Sequence, residues 1–318
     1  MKQKLSVFAA LILGAALIIY SQQAFESARY ALGLCAQMIA PSLFPFFVVS
    51  MLLSRLGLPG YLGRALAKPA SRLFGVSGAG ASAFIMGLCG GYPLGAAYIA
   101  DMVKEGSVSP EEGGRLLGFC NNSGPAFIIG VIGTGVFSSS GIGLYLYGVH
   151  ILSAALCGML LKGRSEPSEY TPVHIESMSL GEAVPQAVKQ AVGSVLSVCG
   201  FVAAFTVLVS LLDANGIVEK ISAALASVTA MDCAWYTGLI TGIFELGSGA
   251  AAMRGLDTQP INLALAAFIL GFGGISVHFQ TAAVTSGANI KGSLHFAGRL
   301  ITASISAVLA YIGALLFF

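Results

Sequence analysis

Four stretches of this chain, 30–54, 141–161, 192–212 and 293–318, are apolar runs. Each is long enough to cross about 30 Å of hydrocarbon as a single helix. A water-soluble fold has no use for so many. Composition agrees: 56% of the 318 residues are hydrophobic and 9% charged, against about 25% charged in a soluble domain. The chain therefore reads as an all-α, multi-pass protein of the lipid bilayer, placed in the cell membrane. A net charge of +2 leaves no electrostatic footprint for nucleic acid. The opening MKQKLSVFAALILGAALIIYS has a basic start and an apolar body, which suits a signal peptide or an uncleaved first span. Without a good small-x-small cleavage site close behind, a transmembrane helix over 1–22 is expected.

Other apolar regions are broken. GLCGGYPLG at 87–95 places four glycines and a proline where a spanning helix would need none. Regions 76–104 and 232–255 read as re-entrant hairpins. The arm LGAAYIA after the first tip is seven residues, about 10 Å of helix, too short to cross alone. Regions 111–137 and 260–289 read as spans with an unwound middle. That gives seven crossings and two hairpins, with the N-terminus cytoplasmic. All but Arg29, Lys220 and Arg254 of the sixteen Lys and Arg residues then fall on the cytoplasmic side, Arg299 among them. SPEE at 109–112 starts the first broken span: Ser109 as N-cap, Pro110 as first helical residue, Glu112 completing a capping box.

The two halves echo each other. LFPFFVVSMLLSRLG (43–57) resembles GFVAAFTVLVSLLDANG (200–216), and an amphipathic stretch follows each. MGLCGGYPLGAA (86–97) aligns with TGIFELGSGAAA (241–252), and LLGFCNNSGPAF (116–127) with LAAFILGFGGIS (265–276). Each half is a span, an amphipathic helix, a re-entrant hairpin, a broken span and a span. Three crossings per half is an odd number, so the second half is inverted. The division is the first helix at 1–22, a first repeat at 23–163, a polar cytoplasmic linker at 164–190 and a second repeat at 191–318. Inverted repeats with discontinuous helices mark secondary transporters, whose sites lie near the midplane between repeats.

Unwound backbone at membrane depth must be satisfied by protein or by a wet cavity. The candidate solute site is therefore the set of breaks. The first half contributes Gly90, Gly91, Tyr92 and Pro93 at the hairpin tip, and Asn121, Asn122, Ser123, Gly124 and Pro125 in the broken span. The second contributes Glu245, Gly247 and Ser248, then Gly273, Gly274, His278 and Gln280. Helix N-termini there would offer partial positive charge to an anionic or polar solute. Glu245 is an intramembrane carboxylate, a functional residue by default. It is the expected coupling group for a proton or cation, facing Asn121 and Asn122 across one cavity. Plainer roles stand beside these. Glycines let helices pack closely, the asparagines can glue helices together, and His278 alone reads first as a satisfied core residue.

No Ser/His/Asp set, catalytic carboxylate pair, nucleotide-binding loop or metal-ligand spacing is present, so no catalytic residue, cofactor or metal site is expected and the chain does not read as an enzyme. The six cysteines lie in apolar segments and are expected as free thiols.

At GLCGGYPLGAAYIADMVKEGSVSPEEGGRLLGFCNNSGPAFIIGVIG (87–133) the sequence resembles the nucleoside-recognition, or Gate, domain family, and within it the integral membrane proteins of endospore formation. Tyr92, Pro93, Gly95, Asn121, Asn122, Ser123, Gly124, Pro125 and Gly130 carry the likeness. It implies hairpin-plus-broken-helix repeats like those of concentrative nucleoside transporters and the membrane part of ferrous-iron transporters. Two functions follow as expectations. One is a permease for a small polar, nucleoside-like solute in sporulation. The other is a non-transporting scaffold for spore cortex or coat assembly. A homo-oligomer is compatible with either.

Overall fold

The computed structural model describes residues 2–163, 178–214, 216–229 and 231–317. Among them every regular element is helical. Helix α1 (Lys2–Ile19) packs on α2 (Ser21–Leu34), which runs through a π-helical turn (Cys35–Ile39) into α3 (Ala40–Arg55). Pro41 cannot donate a backbone N–H and crowds the preceding turn, which the widened π geometry accommodates. Ser21–Arg55 is thus one long apolar rod rather than a span beginning at residue 30.

From α3 onward the order of elements occurs twice. The first series has α4 (Leu58–Phe74), the helices α5 (Gly78–Gly90) and α6 (Leu94–Lys104), α7 (Pro110–Cys120) with a π-helical continuation (Ala126–Val136), and α8 (Ser140–Leu160). The second has α9 (Leu180–Leu212), α10 (Ile217–Thr229), α11 (Cys233–Phe244) with α12 (Leu246–Ala252), α13 (Pro260–Phe272) with α14 (Gly274–Thr285), and α15 (Ser293–Phe317). Both expected hairpins and both expected breaks are present. Residues 164–177 of the expected linker lie outside the described residues, and α9 already begins at Leu180.

Among the described residues five helical rods are long and apolar enough to cross a membrane: Ser21–Arg55, Ser140–Leu160, Leu180–Leu212, Pro260–Val284 and Ser293–Phe317. The chain is accordingly a membrane protein. Large apolar side chains such as Leu11, Ile18, Leu144, Leu196 and Leu315 are exposed, as lipid contact requires. Helix α4 meets α5 at 93°, so the amphipathic stretch turns away from the hairpin it precedes. Its counterpart α10 packs on α11.

Helix α15 touches the broken spans of both halves. It meets α7 at Gly118 against Gly298, and α13 where a Cβ on Gly271 would stand 2.6 Å from Ala303 Cα. Small residues at such crossings let backbones approach, which is how helices associate without a hydrophobic drive between them. The arms α5 and α6 likewise close on the end of α7, with Gly87 and Gly95 both against the Cys120 carbonyl.

Candidate functional site

The four interruptions meet. Gly91 has φ +76°, and a Cβ there would lie 2.7 Å from Gly124 N. Only glycine fits both the left-handed backbone and the contact, so the first tip rests backbone to backbone on the first broken span. In the second half a Cβ on Gly274 (φ +81°) would lie 3.2 Å from Leu246 N, at the second tip. Tyr92 crosses between the halves: a Cβ on Gly273 would lie 3.1 Å from its hydroxyl.

Between these tips lies a small pocket of about 40 Å³. Gly91, Tyr92, Ser123, Gly124, Glu245, Gly247 and Gln280 line it, with Ile39, Leu43, Phe127, Val198, Val202, Leu246 and Val277 as apolar wall. A second cavity of about 340 Å³ lies on the other side of the first tip, lined by Ser50, Arg55, Gly90, Tyr98, Asp101, Glu105 and Gln190 among others. Gly90 faces one cavity and Gly91 the other, so the tip is the partition. Arg55 is held at this larger cavity by Gln186 Oε1 at 2.6 Å and Gln190 Oε1 at 2.9 Å.

A helix that stops inside protein leaves its last carbonyls unpaired. At the end of α7 three in succession find partners. Leu117 O meets His295 Nδ1 at 3.0 Å, Gly118 O accepts from Arg299 Nη2 at 2.8 Å, and Phe119 O accepts from Asn122 Nδ2 at 2.8 Å. Arg299 Nη1 also donates to Asn122 Oδ1 and to the Tyr92 hydroxyl, each at 3.1 Å, and Nη2 to Thr302 Oγ1 at 3.3 Å. At the end of α13, Leu270 O accepts from the Tyr92 and Ser123 hydroxyls, both at 3.4 Å. At the end of α7 the Arg299 cation meets the negative end of the helix macrodipole.

Arg299 is not the solvent-facing charge that the charge-bias reading took it for: it is fully buried, within the contact of α15 and α7. Its signal was present in the run 293–318. His295, Arg299, Thr302 and Ser306 recur at helical spacing, and all are buried, a polar stripe turned inward from a lipid-facing helix.

The second tip is organised by Glu245. Its carboxylate accepts from Gly247 N at 2.9 Å and from Ser248 N at 2.5 Å, capping α12. Ser248 Oγ pairs with Thr206 Oγ1 of α9 at 2.8 Å. Glu245 is 2% exposed and borders the small pocket.

Of the expected site residues, Gly91, Tyr92, Ser123, Gly124, Glu245, Gly247 and Gln280 share the pocket. Asn122 does not line it: both ends of its amide are taken by Arg299 and Phe119. Asn121 is also committed, accepting from Ala96 N at 3.2 Å and donating to Thr281 Oγ1 at 2.8 Å. Pro93 and Pro125 precede the first residues of α6 and of the 126–136 segment. Gly273 and Gly274 shape the second break, and His278 faces a different cavity. Glu112 departs from the capping-box expectation. Ser109 Oγ does accept from Glu112 N at 3.2 Å, but the Glu112 carboxylate accepts from Ser77 N at 2.7 Å and Ser77 Oγ at 2.8 Å. It ties the start of α5 to α7. The cysteines are free thiols.

The chain is similar to the sporulation integral membrane protein YlbJ of Bacillus subtilis (strain 168), with 29% identity over 323 residues, covering 94% of this chain and 79% of that protein. No family model matches the chain, and no solved structure matches it.

Proposed function

We propose that the chain is a multi-pass permease for a small polar solute, acting in endospore formation with its N-terminus in the cytoplasm. The observation that carries this reading is the convergence of both hairpin tips and both broken spans on one small pocket. Paired discontinuous helices around a central site are the build of secondary transporters, and the repeated order of elements suits two inverted halves. The place in sporulation rests on the likeness to YlbJ, and the Gate-domain reading on the motif at 87–133.

The solute would be held by backbone as much as by side chains. Helix α6, the 126–136 segment and α14 all begin near the pocket. The positive ends of these three dipoles favour an anionic or acceptor-rich group, nucleoside-like solutes included. Glu245 is the one carboxylate lining the pocket and would couple solute to a proton or cation. At about 40 Å³ the pocket is far below the roughly 300–1,000 Å³ of ligand sites. Transport therefore requires the tips to part, and the partition at Gly90 and Gly91 is the natural place.

Uptake into liposomes bearing the purified chain tests this reading, with a panel of nucleosides, nucleobases and small carboxylates. At least one should accumulate with the wild type and not with Gly91→Leu. If none accumulates, the scaffold role takes its place.

A further inference from the structure

We propose that α4 lies along the membrane surface and that its outer edge binds the headgroups of anionic phospholipids through Arg64, Lys68 and Arg72. The proposal holds whether the chain is a permease or a scaffold.

Three of the membrane-crossing rods have an end beside this helix. Gly57, with φ +87°, turns the chain from the end of α3 directly into α4. At the far end, Lys162, just past α8, donates from Nζ to the Arg72 carbonyl at 2.5 Å. Met178, just ahead of α9, donates its N–H to Arg55 O at 3.3 Å. The 17 residues of α4 make a rod of about 25 Å. Held at both ends where spans stop, and meeting α5 at 93°, it runs along a bilayer face rather than through it. That face is the one proposed above as cytoplasmic.

The helix has three edges. Gly63, Ala70 and Phe74 are buried against the protein, and a Cβ on Gly63 would lie 2.9 Å from Gly78 O of α5. Leu62, Leu66 and Leu73 form an apolar edge beside them, with Leu73 exposed. On the opposite side Arg64, Lys68 and Arg72 recur every four residues, all exposed, with Tyr61 among them. Residues four apart share a helix face, so the row is about 12 Å long.

The row has no local counter-charge. Residues 27–100 contain no Asp or Glu. Among the described residues no ion pair engages Arg64, Lys68 or Arg72, and Lys162 adds a fourth positive charge at the Arg72 end. Like charges one helical turn apart repel unless anions lie between them, and headgroup phosphates are the anions that a bilayer supplies at this depth. A helix with a basic face and an apolar edge is built for the interface plane, and such a basic cluster next to a span recognises anionic lipid. The two guanidinium forks match phosphate geometry, while Lys68 acts as a point charge. Leu62, Leu66 and Leu73 would meet the upper acyl chains. Because α4 is backed by α5 at Gly63, this grip would also set the depth of the first hairpin arm.

The test uses the full chain in phosphatidylcholine vesicles carrying a trace of photoactivatable phosphatidylglycerol, its reactive group near the glycerol backbone. After illumination, peptide mapping should find label on α4. Unlabelled phosphatidylglycerol should dilute that label at least threefold, and added phosphatidylcholine should not. High salt should weaken it, because exposed charges are screened. Arg64→Gln/Lys68→Gln/Arg72→Gln should lower it at least threefold. These side chains are exposed, so the thermal midpoint in neutral detergent should stay as in the wild type. Arg29→Gln/Lys220→Gln/Arg254→Gln removes as much charge elsewhere and should keep the α4 label. Label absent from α4, equal dilution by both lipids, a triple α4 variant labelled like the wild type, or equal loss in the control variant would overturn the proposal.

Discussion

Arg299 Nη1 donates to Asn122 Oδ1 at 3.1 Å, joining the last span to the first break. With Asn122 Nδ2 on Phe119 O, one amide serves a buried cation and a helix end together. Asn122→Ala strips both. It should cost about 1–3 kcal/mol for each buried group left unpaired, read as a drop in thermal midpoint of the detergent-solubilised protein. A variant of unchanged stability would show that Arg299 does not depend on this contact.

Gly91→Leu should abolish uptake while the protein still inserts and remains monodisperse. The reason is local: φ is +76°, and the added carbon meets Gly124 N at 2.7 Å. Full activity in this variant would mean that the first tip does not need its approach to the broken span.

Glu245→Gln keeps one of the two acceptor oxygens that Gly247 N and Ser248 N use, at the cost of the other, and removes the ionisable group. The fold should persist, and any dependence of uptake on pH or on a cation gradient should vanish. Retained dependence would move the coupling group elsewhere.

Glu112→Ala should lower stability by about 1–3 kcal/mol, since Ser77 loses a buried acceptor. Glu112→Gln keeps the Oε1 acceptor and should lose less. The comparison by thermal unfolding separates hydrogen bonding from charge.

Ser107→Cys in a cysteine-free background should react with an impermeant maleimide only from the cytoplasmic side if, as proposed, the first hairpin enters and leaves by one face. Labelling from outside alone would make 76–104 a full crossing.

The architecture was legible where glycine and proline interrupt apolar runs. GGYP and NNSGP fall where α5 gives way to α6 and α7 to the 126–136 segment, and GFGG where α13 gives way to α14. Backbone chemistry alone dictates such breaks, so one sequence suffices to see them. Side-chain destinations were less visible. Arg299 lies a short way into an apolar run, where a charge-bias argument assigns it to the cytoplasm. Only its alignment with His295, Thr302 and Ser306 on one helix face tells otherwise. Glu112 had two good partners, the local N–H of a capping box and the distant Ser77, and only tertiary placement of α5 decides between them. Asn122 could bond solute or protein, and the unpaired carbonyls at the end of α7 claimed it.

The Arg299 contact spans 177 residues of chain. At about 5–20 residues per second, a ribosome needs roughly ten to thirty-five seconds to synthesise the interval between Asn122 and its partner. For that time the first half stands in the bilayer with its break unfinished, the Gly118 carbonyl and the Asn122 amide awaiting a cation not yet made. The first break is thus completed only once α15 has been made, and a message cut short before α15 would leave a product for proteolysis rather than a half-working one.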